Sequence, residues 1–544
     1  MYGKPRRDIR KITLDAPISL TRTGAYIKYD DIDAKTMKRV RGRFVIIIPS
    51  AIGGPPTTIR QHKTTRGDVK YLRLPRFGVF SELTGYTIKS KIRCSSPNNP
   101  RLKWIGTLNP NQEVILTEIK RLFAQKHMLR GKAGLTLHVE AGRGKTFIAA
   151  SVMSWLAKKT LIVVHTKGIL IQWRKILAQW APHAKIGFYY GDKKVDGDVV
   201  IALIQSLAKD KFKWEGDVVT PSSFYAQFDL MIVDECHLML SNKRSQLFWK
   251  GSCPYMIGLS ATPKDDIQGR NVVSEWGLGP VMTAKDLPDF SENEVKFTGR
   301  IHMIKYCAPN IYSATVINEH TGLVSVPQLT TQVLRDPYRL FVVSREVIKL
   351  MNKGLNILVF ATRRQYLLDI REYMKHLGVD CVMVDEEIVT RLVGGASEAE
   401  LERAEKNAQV ILTTYQYMSV GKSIPRMNAM VLATPRKSYS EQTIKRIFRL
   451  GSDNTIERQI VDVVDWNTSL KTQWYSRNQY YKSQGFAVEK TKLEWNSDEI
   501  SGAVVNNQIS TADEIGLLTE ILDNKEKSDT ESVDLNDIGF DDTD

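Results

Sequence analysis

The sequence predicts an α/β protein in which two parallel-sheet domains follow one another, with a small β-rich domain in front and an acidic tail behind. Three observations carry that expectation. Apolar runs of strand length recur through the first half of the chain: LTLHV (135–139), TLIVVH (160–165), DVVIALI (198–204), DLMIV (229–233) and YMIGL (255–259). Stretches with helical apolar spacing, such as TFIAASVMSWLAKK and KGILIQWRKILAQW, lie between them, as crossovers between parallel strands require. After a pause across 285–332 the pattern resumes with LNILVF (355–360), CVMV (381–384), QVILTT (409–414), NAMVLA (428–433) and RQIVDVV (458–464). Continuous rather than alternating Val/Ile/Leu runs mark sheets covered by helices on both faces.

The parts follow in order. Residues 1–107 read as short strands (AYIKYDD, RFVIIIPS, VKYLRLPRFGVF, GYTIKSKI) between Pro-, Gly- and Asn-rich turns, SAIGGPP and SSPNNP. A first α/β domain is expected over 108–290, a linker over 291–332, a second α/β domain over 333–490, and an acidic, largely disordered tail over 491–544. At 544 residues the chain is too long for a single core. The longest apolar run of the first hundred residues, Phe44–Ile48, is far too short to span a bilayer, and MYGKPRRDIRK is not followed by the apolar stretch of a secretory signal, so no membrane partner is expected. The five cysteines are scattered and form no C-x-x-C pair, which points to reduced thiols in a cytoplasmic or nucleoplasmic setting.

Charge narrows the partner. The net is +17, yet residues 521–544 hold nine acids against two lysines, so the remainder carries +24. A basic body of that size calls for a polyanion, and nucleic acid is the expected one. The basic arm Lys4, Arg6, Arg7, Arg10 and Lys11 fits either a phosphate contact or a solvated tail.

Two stretches carry chemistry. In HVEAGRGKTFIAA (138–150) a strand gives way to the tight loop Gly142-Arg143-Gly144, and Lys145-Thr146 open a helix. Such a loop turns its N–H groups onto phosphates, and the helix N-terminus adds partial positive charge. Lys145 would reach the β/γ-phosphates of ATP and the Thr146 hydroxyl would ligate Mg²⁺; only the first glycine of G-x-x-x-x-G-K-[ST] is missing, replaced by Val139. In LMIVDECHLML (230–240) an apolar strand ends on two carboxylates. Asp234 at the strand end would hold Mg²⁺ and Glu235 would polarise the attacking water. A zinc cage would need thiolate and imidazole groups at ligand spacing, whereas Cys236 and His237 are adjacent with no such partners nearby in sequence. Cys236 reads as a packing residue and His237 as one that couples neighbouring motifs.

D-E-C-H resembles the D-E-x-H box of superfamily 2 helicases, and other motifs of that family occur in order. Leu108-Asn109-Pro110-Asn111-Gln112 is similar to the L-x-P-x-Q element, which implies that Gln112 reads adenine. Gln172-Trp173 and Ile204-Gln205-Ser206-Leu207 resemble strand-contact motifs, implying nucleic-acid contacts at Gln172, Trp173, Gln205 and Ser206. Ser260-Ala261-Thr262-Pro263 matches the S-A-T motif, implying that Ser260 and Thr262 couple hydrolysis to strand movement. In the second domain Val359-Phe360-Ala361 resembles the entry strand, and Thr414 with Gly421–Pro425 resembles the next nucleic-acid and ATP motif. The run from Gln442 to Arg449 resembles Q-x-x-G-R-x-x-R, implying that Gln442 borders ATP and that Arg446 and Arg449 neutralise transition-state charge. Lys445 replaces the usual glycine, and Lys422 stands where a small or acidic residue is common, which bears on strand affinity.

The resemblance covers about residues 108–465 and implies two tandem RecA-like domains using ATP and Mg²⁺. Within the superfamily, LNPNQ, GLSATP and QTIKRIFR look closest to the XPB-like branch and to transcript-release helicases of poxviruses and other large DNA viruses. The implied protein is an ATP hydrolase that translocates on duplex DNA during viral transcription. Its partners would be RNA polymerase or other transcription proteins, and its location the virion and host cytoplasm. A repair or recombination remodeller, a restriction-complex motor, and a structural part of a transcription particle with incidental ATPase are the alternatives. Trp474, Tyr475, Tyr480 and Tyr481 could stack on bases, but aromatics at helical spacing more often pack.

A flexible polyanion tethered to a basic body samples that body at high effective concentration. Deleting residues 521–544 is therefore expected to tighten nucleic-acid binding at low salt, with the difference shrinking as salt rises. Identical binding of truncated and full-length protein at low ionic strength would instead make the tail a docking peptide for a basic partner.

Overall fold

The computed structural model describes residues 11–48, 57–59, 62–66, 68–125, 133–140, 143–207, 212–214, 216–239, 244, 247–250, 253–261, 271–291, 298–383, 406–415, 424, 426–434, 436, 443–448, 453 and 455–494. The basic arm up to residue 10 and the tail beyond 494 lie outside these. The chain divides into two compact units, 1–293 and 294–544.

The first unit opens with a five-stranded sheet built from β1 (Pro17–Thr21), β2 (Gly24–Lys28), β3 (His62–Arg66), β4 (Val69–Leu74) and β5 (Thr87–Ser90), in the order β3-β4-β2-β1-β5. Alternation along β1, Ile18 and Leu20 inward with Ser19 and Thr21 outward, gives it one closed face. Helix α1 (Ala34–Arg43) closes that face with Met37 and Val40. Strand-and-turn reading did not anticipate this helix, because AKTMKRVRGR offers few apolar residues. Its usable signal is Asp33, whose carboxylate accepts from the Lys35 and Thr36 amides at 2.9 Å as an N-cap. VKYLRLPRFGVF is likewise not one strand: Pro75 ends β4, and a short helix, Gly78–Glu82, follows.

The first α/β layer is an eight-stranded sheet. Its members are β6 (Gly134–His138), β7 (Thr160–Val164), β8 (Ile186–Tyr190), β9 (Lys193–Val195), β10 (Val199–Leu203), β11 (Leu230–Asp234), β12 (Tyr255–Ser260) and β13 (Val281–Thr283). The order is β9-β8-β10-β7-β11-β12-β6-β13, and every pairing is parallel except the edge hairpin β8–β9. Every residue of β7 and β11 is buried, as expected for strands covered on both faces. The N-terminal sheet is tied to this layer. Trp276 packs in its core while the indole donates to Glu82 (3.1 Å), and Arg22 pairs with the buried Asp229 at 2.7 Å.

The second unit holds a seven-stranded, wholly parallel sheet of β14 (Gly299–Cys307), β15 (Ile357–Ala361), β16 (Val382–Met383), β17 (Val410–Thr414), β18 (Ala429–Leu432), β19 (Arg458–Asp465) and β20 (Ala487–Glu494), ordered β16-β17-β15-β18-β19-β14-β20. Two departures from expectation stand out. The stretch 291–332, expected as a linker, contributes the nine-residue strand β14 and the helix Val326–Val333, and β20 runs past residue 490 into the stretch expected as tail. GRIHMIKYC escaped notice because its apolar residues alternate with polar ones rather than forming a continuous run. In the helix Thr472–Ser483, Trp474 and Tyr481 are buried and Tyr475 is exposed, so the aromatic cluster is mainly packing. Among the described residues no helix is long and apolar enough to cross a membrane.

A buried guanidinium stitches this unit together. Arg339 donates through Nε and Nη2 to the Asp465 carboxylate (2.7 and 3.1 Å), and through Nη1 to the Ala433 carbonyl (2.7 Å) and the Tyr366 hydroxyl (3.0 Å). Removing one partner of a buried pair strands the other charge. Arg339→Met is expected to destabilise the second unit by about 3–5 kcal/mol, read as a lower denaturant midpoint in chemical unfolding; a change below about 1 kcal/mol would show that Asp465 is satisfied elsewhere.

Candidate nucleotide-hydrolysis site

Parallel strands bring their C-terminal ends to one edge, where the loops that follow can meet. Here β11, β12 and β6 are neighbours, with Asp234 opposite Leu259 and His138 opposite Ser260. Lys145 and Thr146 begin the helix Lys145–Leu156, whose N-cap is Gly144 in the left-handed region (φ +79°). A glycine cap brings no side-chain acceptor to compete with an anion for the first turn, where the Phe147 amide donates to the Gly144 carbonyl at 2.9 Å. A Cβ at Gly144 would also stand 2.2 Å from Gln112 Nε2, so a larger residue there would displace the Gln112 side chain and take a strained left-handed backbone. Gly142 lies outside the described residues.

Gln112 is placed by its own helix start. Asn109 and Gln112 form a capping box: the Asn109 side chain accepts from the Gln112 amide and Gln112 Oε1 accepts from the Asn109 amide, both at 2.9 Å. The remaining end, Nε2, donates to the Arg143 carbonyl at 3.3 Å. Gln112 therefore holds the backbone at Arg143 directly. Arg143 itself leans toward Glu140 (3.7 Å), which also pairs with Lys285 (2.9 Å). Lys145 Nζ donates to the Val139 carbonyl at 3.2 Å.

Across from the helix start, Asp234 is buried and both its oxygens are engaged. Oδ1 accepts from the Glu235 amide (2.9 Å) and Oδ2 from the Trp173 indole (2.8 Å). Burial, with the Glu235 charge beside it, pushes the Asp234 carboxyl up to about 6, while the Trp173 N–H and the Lys145 ammonium pull the other way. Glu235 has a left-handed backbone (φ +47°), a strained conformation for a residue with a Cβ. Its Oε2 is buried without a hydrogen-bond partner. Two adjacent carboxylates facing a lysine and an open helix N-terminus fit a divalent cation with a polyphosphate, with Thr146 and Asp234 as the residues that would hold Mg²⁺. Cys236 turns into the core, where burial pushes its thiol up to about 12, so it is no metal ligand.

The neighbouring strand ends are cross-linked. His237 Nδ1 bonds the Ser260 hydroxyl at 2.9 Å and lies 3.4 Å from Glu235 Oε2. His138, which sequence reasoning missed, bonds the Ala261 carbonyl through Nε2 at 2.9 Å. Its signal was its place one residue before the phosphate loop. Thr262 lies outside the described residues.

The strand-contact residues divide. Gln205, on the short helix Ile204–Leu207, is exposed and donates to the His165 carbonyl (3.0 Å), tying the segment after β10 to the one after β7; Ser206 and Gln172 are half-buried. Trp173 is a correction: it is fully buried on helix Lys167–Trp180 alongside Ile169, Leu170 and Leu177, and its indole bonds Asp234, so it offers no surface to a nucleic acid. Spacing alone could not separate an outward from an inward tryptophan on that helix. Burial, helped by the neighbouring His237 and Arg244, pushes His165 down to about 3, so it stays neutral. In the second unit, Thr414 ends β17 and Arg446 is buried, whereas Gln442 and Arg449 lie outside the described residues.

Comparison with known proteins adds a lineage. Residues 105–265 match the family model described as type III restriction enzyme, res subunit. The chain is 30% identical over 401 residues to QP509L of African swine fever virus (strain Badajoz 1971 Vero-adapted), a protein named as an ATP-dependent RNA helicase, with 70% of this chain and 74% of that one covered. L396 of Acanthamoeba polyphaga mimivirus, named in the same way, is 25% identical over 485 residues, covering 87% and 86%. Among solved structures, that of T4 UvsW covers 88% of this chain and all of its own at 18% identity, with a TM-score of 0.34.

The Trp173–Asp234 bond can be removed without opening a large cavity. Trp173→Phe keeps an aromatic ring and deletes the N–H. Because donors behind a metal ligand typically govern affinity by about tenfold or more, the Mg²⁺ concentration for half-maximal ATP turnover is expected to rise about tenfold, with metal-free nucleotide affinity little changed. An unaltered Mg²⁺ dependence would reduce Trp173 to packing.

Proposed function

The chain belongs to the superfamily 2 ATP-dependent helicases, and from that premise we propose that it moves along duplex DNA during viral transcription, hydrolysing ATP with Lys145, Thr146, Asp234 and Glu235. The observation that carries the hydrolytic part is the carboxylate pair of buried Asp234 and half-buried Glu235, set against a glycine-capped helix start. Mg²⁺, when bound with ATP, supplies the charge that neutralises the β/γ-phosphates. Lys145 leaves the Val139 carbonyl for a phosphate, and Glu235, through Oε2, which accepts no hydrogen bond, takes the proton of the attacking water. Arg446 and Arg449 are assigned to transition-state charge, and Gln442 to the nucleotide's border. His237 and Ser260, bonded to each other, carry the change at Glu235 toward Ala261 and the stretch of sequence that follows it.

The duplex-DNA reading is supported by the likeness of LNPNQ, GLSATP and QTIKRIFR to the XPB-like branch and by the basic body of the chain. A second reading, RNA as substrate, is favoured by the names of the African swine fever virus and mimivirus relatives.

One titration decides among these. ATP turnover is measured against single- and double-stranded DNA and RNA, with Glu235→Gln as the control for a genuine site. Turnover is expected to rise most with duplex DNA, and the Gln variant to lose about 10²–10⁴-fold in rate while still binding ATP. Greatest stimulation by RNA would establish the second reading, and indifference to all four polymers would leave a structural component with incidental ATPase.

A further inference from the structure

The positive charge of this protein is concentrated. Residues 1–107 hold 23 Lys/Arg against 7 Asp/Glu, a surplus of +16 within a chain whose total is +17. The five strands of the N-terminal sheet contain Lys28, Lys63, Arg66, Lys70, Arg73 and Lys89 and not one Asp or Glu.

The two faces of that sheet differ. Ile18, Leu20, Ile27 and Leu72 point to the core shared with Met37 and Val40 of α1. On the opposite face the strand register sets Arg73, Tyr26, Ser19 and Lys89 in one row across four adjacent strands, and Lys28 beside Tyr71 in the next. At the usual inter-strand spacing the row from Arg73 to Lys89 spans about 14 Å. Lys28 and Lys89 are exposed, and among the described residues neither has an ionic partner. Arg73 is anchored on this face by its Nε donating to the Thr23 carbonyl at 2.9 Å. Tyr26 and Tyr71 meet edge to face with ring centres 6.3 Å apart, and Tyr71 is the more accessible.

Lysines on an edge strand commonly guard against strand addition, and that explains Lys89 on β5. It does not explain Lys28 on the central strand β2 or Arg73 on β4. An acid-free sheet face with cations around an accessible tyrosine matches a surface that holds phosphates electrostatically and stacks a base. We propose that this face binds a single strand of nucleic acid, with phosphates on Lys28, Arg73 and Lys89 and a base against Tyr71. It is separate from the hydrolytic site and does not need ATP.

The test uses the full-length, nucleotide-free protein and a labelled oligothymidylate of roughly 20 nucleotides, followed by fluorescence anisotropy over a salt series. Lys28→Ala/Lys89→Ala should weaken binding about tenfold at low salt and lower the slope of log K against log[salt] by about 1.4, since each lost single-strand phosphate contact removes about 0.7. Tyr71→Ala should cost about fivefold, with no change of slope. Lys35→Ala/Lys38→Ala removes the same charge from the exposed side of α1, across the sheet, and should leave the affinity within about twofold. Thermal unfolding of each variant checks that the fold is retained. Equal losses from the α1 pair would reduce the effect to net charge, and unchanged binding in the Lys28/Lys89 variant would remove the site; either overturns the proposal. So would a duplex that binds as tightly as the single strand and ignores Tyr71→Ala. None of these readouts involves ATP turnover, so the result stands or falls independently of the hydrolytic assignment.

Discussion

The Asp234 carboxylate is the point on which the first unit turns. Each of its oxygens has a donor, the Glu235 amide on one side and the Trp173 indole on the other, so it cannot rotate without breaking a buried hydrogen bond. The amide reaches Oδ1 while Glu235 takes a left-handed backbone, and that same turn delivers the Glu235 side chain toward His237. Strain at one residue is thus held in place by two hydrogen bonds and a strand buried along its whole length. Geometry fixed this firmly leaves little to reorganise when charge moves, the condition under which electrostatic catalysis is most effective.

The start of the helix Lys145–Leu156 is fixed by the same sparing use of donors. Gln112 closes its own helix through the capping box and spends its last polar group on the Arg143 carbonyl, while Gly144 leaves just enough room for that amide to approach. Three strand ends, those of β6, β11 and β12, are then tied sideways, His138 to Ala261 and His237 to Ser260, and the short helix after β10 is tied to the segment after β7 by Gln205 reaching the His165 carbonyl. A displacement at any one loop must therefore be shared with its neighbours. That is the physical requirement for coupling bond cleavage to movement.

In the second unit a different device does the holding. Arg339 and Arg477 are both buried guanidiniums, each meeting an aspartate of β19, Asp465 and Asp462, through two nitrogens. Buried ion pairs of this kind contribute little net stability over apolar replacements, but they penalise every packing that separates them. They select one register for the helices that flank the sheet. The N-terminal sheet is held to its own unit by mixed means, the Trp276 ring in its apolar core and Arg22 on the buried Asp229.

The α/β class, the parallel strands, the helix opening at Lys145 and the carboxylate pair at a strand end were legible in the amino-acid order alone. Each rests on local rules: continuous apolar runs for strands buried on both faces, glycines before Lys-Thr at a helix start, acids at a strand end. What local rules could not reach is decided by side chains distant in sequence. Helix α1 is helical because a sheet waits for Met37 and Val40, not because AKTMKRVRGR has a strong stripe. Strand β14 belongs to the second sheet because β19 and β20 flank it, although its alternating pattern looked like a linker. Trp173 stood beside Gln172 in a motif that resembles a strand contact, and only the helix's rotation against the sheet turned it inward onto Asp234, sixty-one residues away. Sequence spacing determines which faces an element offers; which of them is buried, and against what, is settled when the whole chain has closed.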